Sequence, residues 1–325
     1  MTAPTPGPAP KTGPGDGDAT RRAGEILRRH CGDRVRAGFP LAPLTTFRIG
    51  GPAALYLEPD SVADLETASE AIRDTGLPFV ILGKGSNVLI SDDGFPGLVL
   101  RLGKGFRWTG RDGTTLTAGG AMPVPALAGV AFQHGLAGLE FGVAIPATLG
   151  GAVRMNAGAH QHSMSEVVRE VNVFLLGAGS LRAVPAAEAG FSYRRSGLPE
   201  DGIVVSAVLD LAEGGRQGIR GRMDEARAWR RATQPLAEPN CGSVFKNPEE
   251  DHAARLVEDA GAKGLAVGGA HVSEKHSNFI VAAPGATAED VVALIRRIQA
   301  VVRERSGVEL EPEVHLIGDF SQASL

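Results

Sequence analysis

The chain has 325 residues, and its 33 lysines and arginines against 37 aspartates and glutamates give a formal net charge of −4. This near balance argues against a nucleic-acid-binding protein, which normally carries a basic excess to neutralise phosphates, and against a membrane-surface protein. No apolar run approaches the roughly 18 residues that span a bilayer. The length predicts two or three packed units, and a hydrophobic fraction of 43% is sufficient for buried cores.

Cysteine and glycine usage narrow the class further. Only Cys31 and Cys241 are present, without a CxxC pair, which excludes a disulfide framework or a zinc ribbon and predicts a reducing cytoplasm. Glycine accounts for 44 residues, about twice its usual frequency of roughly 7%. The glycines are clustered, which indicates unusual backbone angles or close approach of a ligand. His160 and His162 lack a third ligand at helical spacing, so no metal site is predicted.

The first elements are a leader and a strand–helix–strand unit. Residues 1–20 are rich in proline and glycine and have no apolar signal-peptide core, so a disordered leader is expected, with a helix over 20–28. A helical apolar stripe follows Ser61 and Asp64, which resemble a capping box, and it ends at Gly76. Strands are predicted on either side of this helix, at 54–57 and 78–82.

The rest of the chain alternates short strands with fewer helices, which predicts a mixed α+β fold without repeats. A polar stretch at 214–231 is interpreted as a connector that ends in an exposed helix. The best-defined helix begins at a second capping box, Thr287 with Asp290, and ends at Gly307. The other predicted helices are 124–134 and 251–260, and the other predicted strands are 114–117, 171–176, 203–211, 278–282 and 308–310.

A glycine-rich loop, 83–87, directly follows the second predicted strand. It fails the dinucleotide pattern GxGxxG because Val88 holds the sixth position, and no GxxxxGK[ST] spacing makes it a Walker A loop. Two glycines, a serine hydroxyl and consecutive backbone N–H groups nevertheless form a concave donor array that suits a phosphate. A plain tight turn is the alternative.

A second run of small residues, 145–152 with 156–159, has neither helical nor strand periodicity. A chain rarely leaves so much backbone unpaired unless something else pairs it. A flat polar ligand, such as a flavin with its pyrophosphate, is therefore predicted here. The alternative is a close approach of two strands that is packed by glycine and alanine.

Several motifs occur in a fixed order over 41–318. They are Phe47-Arg48-Ile49-Gly50-Gly51, Gly83-x-Gly85-Ser86-Asn87-x-Leu89, Ile145-Pro146-x-x-x-Gly150-Gly151-Ala152, Asn156-Ala157-Gly158, Tyr193-Arg194-x-Ser196, Gly242-Ser243-Val244-Phe245-Lys246-Asn247-Pro248 and Glu311-Pro312-Glu313-Val314. With this combination the chain resembles the UDP-N-acetylenolpyruvoylglucosamine reductases, bacterial flavoenzymes that complete UDP-N-acetylmuramate for peptidoglycan. It is similar to the shorter subtype, which lacks an inserted tyrosine loop over the substrate.

The resemblance implies an α+β fold in three parts: a leader at 1–20, an FAD-binding region of the vanillyl-alcohol-oxidase (PCMH) type at 21–212, and a C-terminal α+β substrate-binding domain at 213–325. The FAD-binding region is expected to have two subdomains, 21–105 and 106–212. FAD is the implied cofactor and NADPH the implied hydride donor. The implied FAD-binding residues are Gly83, Lys84, Gly85, Ser86, Asn87, Leu89, Gly119, Ile145, Pro146, Gly150, Gly151, Ala152, Asn156 and Gly158, with Thr46, Arg48 and Gly120 as weaker candidates.

The reaction that the resemblance implies passes a hydride from NADPH to the flavin and then to the enolpyruvyl double bond of UDP-N-acetylglucosamine-enolpyruvate. A proton goes to the other carbon. Arg194 matches the family arginine, whose guanidinium fork suits the negative charge that develops on the substrate carboxylate, and the YRxS spacing selects it over Arg195. Ser243 matches the proton donor of the family.

Glu313 matches the third catalytic residue of the family, which stabilises the same intermediate and would need a raised pKa to donate a hydrogen bond. Alternation along a strand would place Glu309, Glu311 and Glu313 on one face, so the choice rests on the EPEV match. Lys246 and Asn247 are the expected substrate contacts, and a solvated lysine is an equal alternative for the first of them.

Together these expectations describe a cytoplasmic monomer that acts on a UDP-sugar in cell-wall synthesis, and thus in cell shape and division, with no nucleic-acid or membrane partner. Two alternatives stay open: an FAD-dependent sugar or lactone oxidase of the same fold, and a non-enzymatic UDP-sugar-binding module. Such oxidases often tether FAD through His or Cys, which the flavin loops lack. The binding module would lack at least one of Arg194, Ser243 and Glu313.

Overall fold

The computed structural model describes residues 16–321, so most of the predicted leader lies outside the described residues. The α-helices of this part of the chain are α1 (Asp16–Cys31), α2 (Val62–Thr75), α3 (Val124–Gln133), α4 (Leu149–Arg154), α5 (Arg216–Thr233), α6 (Ala253–Asp259) and α7 (Ala288–Ser306). Its strands are β1 (Arg36–Pro40), β2 (Pro52–Leu57), β3 (Phe79–Ile81), β4 (Val88–Ile90), β5 (Phe95–Leu100), β6 (Thr109–Asp112), β7 (Thr115–Gly119), β8 (Leu136–Ala137), β9 (Gly158–Ala159), β10 (His162–Ser163), β11 (Val168–Leu175), β12 (Ser180–Pro185), β13 (Gly202–Asp210), β14 (Ala212–Glu213), β15 (Ala266–Val267), β16 (Ala270–Val272), β17 (Ile280–Ala282) and β18 (His315–Ile317). Over these residues, no helix combines the length and the apolar character that crossing a membrane requires.

The first layer is a four-stranded sheet with the order β1-β2-β5-β3, which packs against α1 and α2. Both β2 and β3 run parallel to β5, so α2 is the crossover of the predicted strand–helix–strand unit. As predicted, α2 begins at a capping box, in which Ser61 Oγ accepts the N–H of Asp64 and the Asp64 carboxylate accepts the N–H of Ser61. It ends at Gly76, whose φ of 66° is one that glycine adopts easily.

The first helix starts earlier than predicted. A cap at Thr20 was expected, but α1 begins at Asp16, so residues 16–20 are helical and do not belong to a disordered leader. Leu27 is completely buried in the core beneath the sheet. On the exposed surface of the helix, Arg21 forms ion pairs with Asp18, three positions before it, and with Glu25, four positions after it. These pairs stabilise the additional turn.

A buried carboxylate joins the first two helices. Asp64, in the first turn of α2, is 2% exposed. It accepts hydrogen bonds from both terminal nitrogens of Arg34, at 2.6 and 2.7 Å, and from the N–H groups of Asp60 and Ser61. Burial alone would raise the pKa of Asp64, but Arg34 and the two N–H groups lower it to about 2. Asp64 therefore stays ionised and holds the chain that follows α1 against the start of α2.

The second layer is a five-stranded antiparallel sheet with the order β12-β11-β13-β7-β6. One of its faces contributes Phe174 and Ile203 to the core that also contains α1 and α2. The opposite face packs against α3, α4 and the 3₁₀ helix Glu140–Ala144, around a second core that includes Leu149 and Val171. The sheet therefore separates two cores and lies between the first layer and the helices.

The helix α5 differs from the predicted exposed connector. Its residues Ile219, Met223 and Ala226 are buried in the second core, and Arg222 lies 2.6 Å from Glu140. The three apolar residues recur at i, i+4 and i+7 in a helix that is otherwise rich in arginine, and the basic composition conceals this stripe. The helix α5 thus packs with the region predicted to bind FAD, although the predicted boundary at 213 precedes it.

The C-terminal region packs α6, α7 and the three-stranded sheet β15-β16-β17 around a third core, to which Phe47, Ile49 and Leu89 of the N-terminal half also contribute. As predicted, α7 begins at a capping box of Thr287 and Asp290 and ends at Gly307. A second carboxylate reaches the start of α7 from the N-terminal half, since Asp92 accepts the N–H of Ala288 at 2.8 Å. This contact joins the two halves of the chain.

The last strand returns to the N-terminal half. No strand forms at the predicted 308–310. There, the buried Leu310 presents its carbonyl to the side chain of Gln299, at 2.9 Å, and not to a neighbouring strand. The strand β18 lies further along the chain and pairs in parallel with β4, which follows the first glycine loop.

Replacing Asp64 with Asn keeps the side-chain shape but removes the charge that faces Arg34. We expect Asp64→Asn to lower the free energy of unfolding by about 2 kcal/mol at neutral pH. Because the pKa of Asp64 is lowered, this contribution should be present above the pKa of an unfolded aspartate, about 3.9, and should shrink as the pH falls towards about 2.

Urea titrations at several pH values measure this difference. The matched control is Glu66→Gln, at an exposed position on the same helix, which should change the free energy of unfolding by less than about 0.5 kcal/mol. Equal losses in the two variants would contradict the role assigned to Asp64.

Candidate functional site

Two glycine-containing segments meet between the two sheets. A Cβ added at Gly83 would lie 2.9 Å from Thr148 Oγ1, so the first glycine loop closely approaches the start of α4. Beside this contact is a cavity of about 300 Å³. It is lined by the end of β3, the chain after β5, the start of α4 and the start of β13.

The first glycine loop presents unpaired backbone donors. Among the described residues, the N–H groups of 83–87 find no protein acceptor. The loop is held from outside by Thr46, whose N–H donates to the carbonyl of Gly85 at 2.9 Å. Gly85 has a φ of 69°, and a Cβ at this position would collide with the carbonyl of Leu44. The loop is therefore fixed in shape while its N–H groups can bind a phosphate.

Three arginines that the motifs did not indicate also line the cavity: Arg101, Arg107 and Arg154. One acidic residue, Glu200, accompanies them. Arg154 donates to the carbonyl of Leu198 at 2.8 Å, and burial lowers its pKa. No sequence pattern links these arginines, because they come from separate segments that only the fold brings together. A positive lining beside free N–H donors fits the pyrophosphate of a dinucleotide cofactor.

The second run of small residues differs from its prediction as an unpaired loop. It contains α4, which is capped by Thr148 through the N–H of Gly151. Its backbone is paired, since the N–H of Gly150 donates to the carbonyl of Gly120 at 2.9 Å. A Cβ at Gly150 would lie 2.9 Å from the carbonyl of Val204. Small residues here let α4 approach β13. This arrangement agrees better with the alternative interpretation, in which glycine and alanine allow close packing, although Gly150 and Gly151 also line the cavity.

The other residues predicted to bind the cofactor fall into three environments. Three side chains are buried in hydrophobic cores: Leu89, Ile145 and Ala152. Three are partly or fully exposed: Lys84, Ser86 and Pro146. Among the remaining four, the side-chain amides of Asn87 and Asn156 donate to the carbonyls of Glu313 and Ser192. Gly119 and Gly158 have close neighbours, because an added Cβ would collide with the Phe106 carbonyl oxygen at the first and would lie 3.2 Å from the Arg194 guanidinium at the second. Their assignment to the cofactor stays a prediction.

A tight turn carries Arg194. Ser192 and Arg195 exchange backbone hydrogen bonds of 3.0 and 3.2 Å, and Arg194 between them has a φ of 55°. Ser196 Oγ donates to the carbonyl of Arg154 at 2.7 Å, which fixes the turn to the end of α4. The serine of the YRxS motif is therefore an anchor for the arginine.

The guanidinium of Arg194 meets Glu313 of the C-terminal region. Arg194 Nε lies 3.0 Å from Glu313 Oε1, and the two side chains are only 24% and 15% exposed. Burial raises the pKa of Glu313, although Arg194 and Lys246 offset part of this effect. The structure also separates the three glutamates, since Glu309 and Glu311 are exposed. The predicted alternation is wrong, because this segment forms only an isolated bridge and no regular strand.

Ser243 lies on a turn next to Glu313. The side chain of Asn240 accepts the N–H of Gly242 at 2.9 Å, and Gly242 has a φ of 80°. After the serine, the carbonyl of Val244 accepts the N–H of Glu313 at 2.7 Å. The Ser243 hydroxyl is half-buried and forms no hydrogen bond within the described part of the chain. It is therefore available to a bound molecule.

The two residues predicted to contact substrate have different surroundings. Lys246 Nζ lies 2.5 Å from Glu311 Oε1, and its charge also acts on Glu313. Asn247 Oδ1 accepts the N–H of Ala253 at the start of α6. Asn247 therefore stabilises a helix start, and Lys246 supplies the positive charge near Glu313.

Comparison with known proteins gives two family matches along the chain. A family described as FAD binding domain matches residues 53–184, and the family UDP-N-acetylenolpyruvoylglucosamine reductase, C-terminal domain, matches residues 234–317. The chain is thus similar to an FAD-binding domain followed by a specific C-terminal domain, which is the predicted order.

Individual relatives agree over almost the full described length. The UDP-N-acetylenolpyruvoylglucosamine reductase of Heliobacterium modesticaldum is 46% identical over 282 residues, which are 86% of this chain and 90% of the relative. That of an Anaeromyxobacter species is 44% identical over 311 residues, 96% of each chain. The crystal structure of UDP-N-acetylenolpyruvylglucosamine reductase from Thermus caldophilus superposes with a TM-score of 0.77 at 36% identity, over 88% of this chain and 99% of that one.

The substitution Gly85→Ala tests the first glycine loop. Because the added Cβ collides with the carbonyl of Leu44, we expect the loop to move and the dissociation constant for FAD to rise by at least about tenfold. Gly113→Ala is the matched control, since Gly113 also has a positive φ, 57°, but a Cβ there meets no atom within 4 Å. Quenching of FAD fluorescence measures the affinity, and equal affinities in the two variants would contradict the role of the loop.

Proposed function

Since the chain belongs to the UDP-N-acetylenolpyruvoylglucosamine reductase family, we propose that Arg194, Ser243 and Glu313 form its active site. The protein is an FAD-dependent oxidoreductase of peptidoglycan precursor synthesis that uses NADPH to reduce UDP-N-acetylglucosamine-enolpyruvate to UDP-N-acetylmuramate. Family membership decides against the oxidase and the non-enzymatic module. The contact of 3.0 Å between Arg194 and Glu313 carries the proposal, because it joins the two predicted domains beside Ser243.

The donors and charges between the two sheets fit FAD. We infer that the N–H groups of 83–87 bind its pyrophosphate with support from Arg101 and Arg107. Gly150 and Gly151 line the same cavity at the start of α4. The chemistry that FAD supplies when bound is hydride transfer from NADPH to the enolpyruvyl double bond.

Arg194 stabilises the charge that the reaction creates. Hydride addition to one carbon of the enolpyruvyl group leaves negative charge on the other carbon, delocalised onto the carboxylate. Donors that are fixed before the reaction stabilise such charge at little cost in reorganisation. The turn from Ser192 to Arg195 and the ring of Tyr193, 5.0 Å from the guanidinium carbon, fix Arg194 in this way. Its fork then binds the substrate carboxylate.

Ser243 donates the proton to the second carbon. A serine hydroxyl is a weak acid, so it donates only to a strong developing base and only from a fixed position. Hydrogen bonds on both sides of Ser243, at Gly242 and at Val244, fix that position. Glu313, whose pKa is raised by burial, is suited to donate a hydrogen bond from a protonated carboxyl to the same negative charge.

The substrate is a small UDP-sugar, and we propose that the protein acts as a cytoplasmic monomer. The three proposed catalytic residues come from one chain, so their arrangement does not need a second copy. Both cysteines are free and buried, which is compatible with a reducing compartment.

An anaerobic absorbance trace tests the reaction. NADPH should bleach the bound flavin, and UDP-N-acetylglucosamine-enolpyruvate should restore the absorbance. Bleaching without recovery would contradict the assigned substrate, and a protein that binds no FAD would contradict the whole assignment.

Two neighbouring arginines provide matched variants for this trace. We expect Arg194→Lys to slow the recovery by roughly 10²–10³-fold, because a fixed donor to the developing charge is lost, while bleaching by NADPH is unchanged. Arg195→Lys, at an exposed side chain of the same turn, should leave both phases unchanged. Equal effects of the two substitutions would contradict the role of Arg194.

A further inference from the structure

The two cations proposed to meet the substrate are already paired with carboxylates of one segment. Arg194 contacts Glu313 at 3.0 Å, and Lys246 contacts Glu311 at 2.5 Å. An anionic substrate that binds these cations has to compete with the two glutamates. Displacement from its cation affects the two glutamates differently, because the Glu311 side chain is 69% exposed whereas that of Glu313 is 15% exposed. Water can solvate the first carboxylate after displacement, but it can solvate the second only poorly.

The charge of the buried Glu313 depends on few neighbours. Burial raises its pKa, and the two groups that oppose this effect are Arg194 and Lys246. Cys241, which interacts with Glu313, is buried and has a raised pKa, so its thiol stays neutral. Burial and Lys246 lower the pKa of His315, which favours its neutral form as well. The two cations that the substrate would bind are thus the two that favour the ionised form of Glu313.

We propose that the substrate carboxylate displaces Glu313 from Arg194 and that Glu313 takes up one proton from solvent as the substrate binds. This inference rests on the proposed function. After the exchange, the guanidinium balances the substrate carboxylate, and a new negative charge lies near Glu313. A buried carboxylate without a counter-charge is costly, and protonation removes that cost.

The proton has two consequences for the reaction. The neutral carboxyl of Glu313 gains an O–H group that can donate to the negative charge forming on the substrate. Substrate affinity also becomes pH-dependent, because binding takes up a proton. Affinity should fall as the pH rises through the interval between the pKa values of Glu313 in the free and the bound protein, by up to about tenfold per pH unit.

Isothermal titration calorimetry of the oxidised holoenzyme, without NADPH, counts these protons. UDP-N-acetylglucosamine-enolpyruvate is titrated in buffers of different ionisation enthalpy, from about pH 5 to about pH 8. We expect a buffer-dependent enthalpy that corresponds to an uptake approaching one proton per site. UDP-N-acetylglucosamine lacks the carboxylate that competes for Arg194 and should be bound with a smaller uptake.

Single substitutions assign the proton to its residue. Glu313→Gln should bind the substrate without uptake, whereas Glu309→Gln, at an exposed neighbour, and His315→Asn should retain the uptake. The flavin absorbance spectrum checks that each variant is folded and loaded.

Three results would overturn the inference: a binding enthalpy of the wild type that is independent of buffer at every pH, an uptake that persists in Glu313→Gln, and an uptake that disappears in His315→Asn. If UDP-N-acetylglucosamine-enolpyruvate does not bind at all, the proposed function fails and the inference fails with it. Binding without uptake overturns the inference alone.

Discussion

The short strand β18, near the end of the chain, pairs in parallel with β4, and β4 directly follows the first glycine loop. This register fixes the segment before β18, because the side chain of Asn87 donates to the carbonyl of Glu313 at 3.0 Å and the carbonyl of Asn87 accepts the N–H of His315 at 3.1 Å. The N–H of Glu313 donates in turn to Val244, which follows the proposed proton donor. One short parallel pairing and the hydrogen bonds beside it therefore hold the first glycine loop, the turn with Ser243 and the buried Glu313 together. A slip in this register would displace the segment that carries Glu313 relative to Arg194.

The charges of the proposed active site come from two parts of the chain. Arg194 belongs to the predicted FAD-binding region, and Glu313 and Lys246 lie within the matched C-terminal domain. In water such pairs contribute little, but the Arg194–Glu313 pair is largely withdrawn from solvent, where its electrostatic interaction is stronger. Contact between the two parts thus sets both the position of Glu313 and its affinity for a proton. The burial that suits Glu313 to hydrogen-bond donation also makes its charge depend on what binds Arg194 and Lys246.

Local signals predicted the parts of the fold that local chemistry specifies. Capping boxes at Ser61 and Thr287 correctly marked the starts of α2 and α7. These local signals failed where glycine serves tertiary packing. The small-residue run with Gly150 was interpreted as a ligand-binding loop, but Gly150 lets α4 approach β13. Spacing did not separate Glu313 from the neighbouring glutamates, since the long-range pairing of β18 with β4 decides which carboxylate is buried. Family resemblance supplied that residue, and no signal pointed to Arg101, which reaches the cavity only through the packing of two sheets.

A double-mutant cycle on Arg194 and Glu313 tests most directly whether the two parts of the chain form one catalytic unit. The rate at which UDP-N-acetylglucosamine-enolpyruvate restores the flavin absorbance is measured in single turnovers for the wild type, Arg194→Lys, Glu313→Gln and the double variant. If the two residues act together, the double variant should be hardly slower than the slower single variant. If the two losses multiply, the residues act independently, and a joint active site at the contact between Arg194 and Glu313 is contradicted.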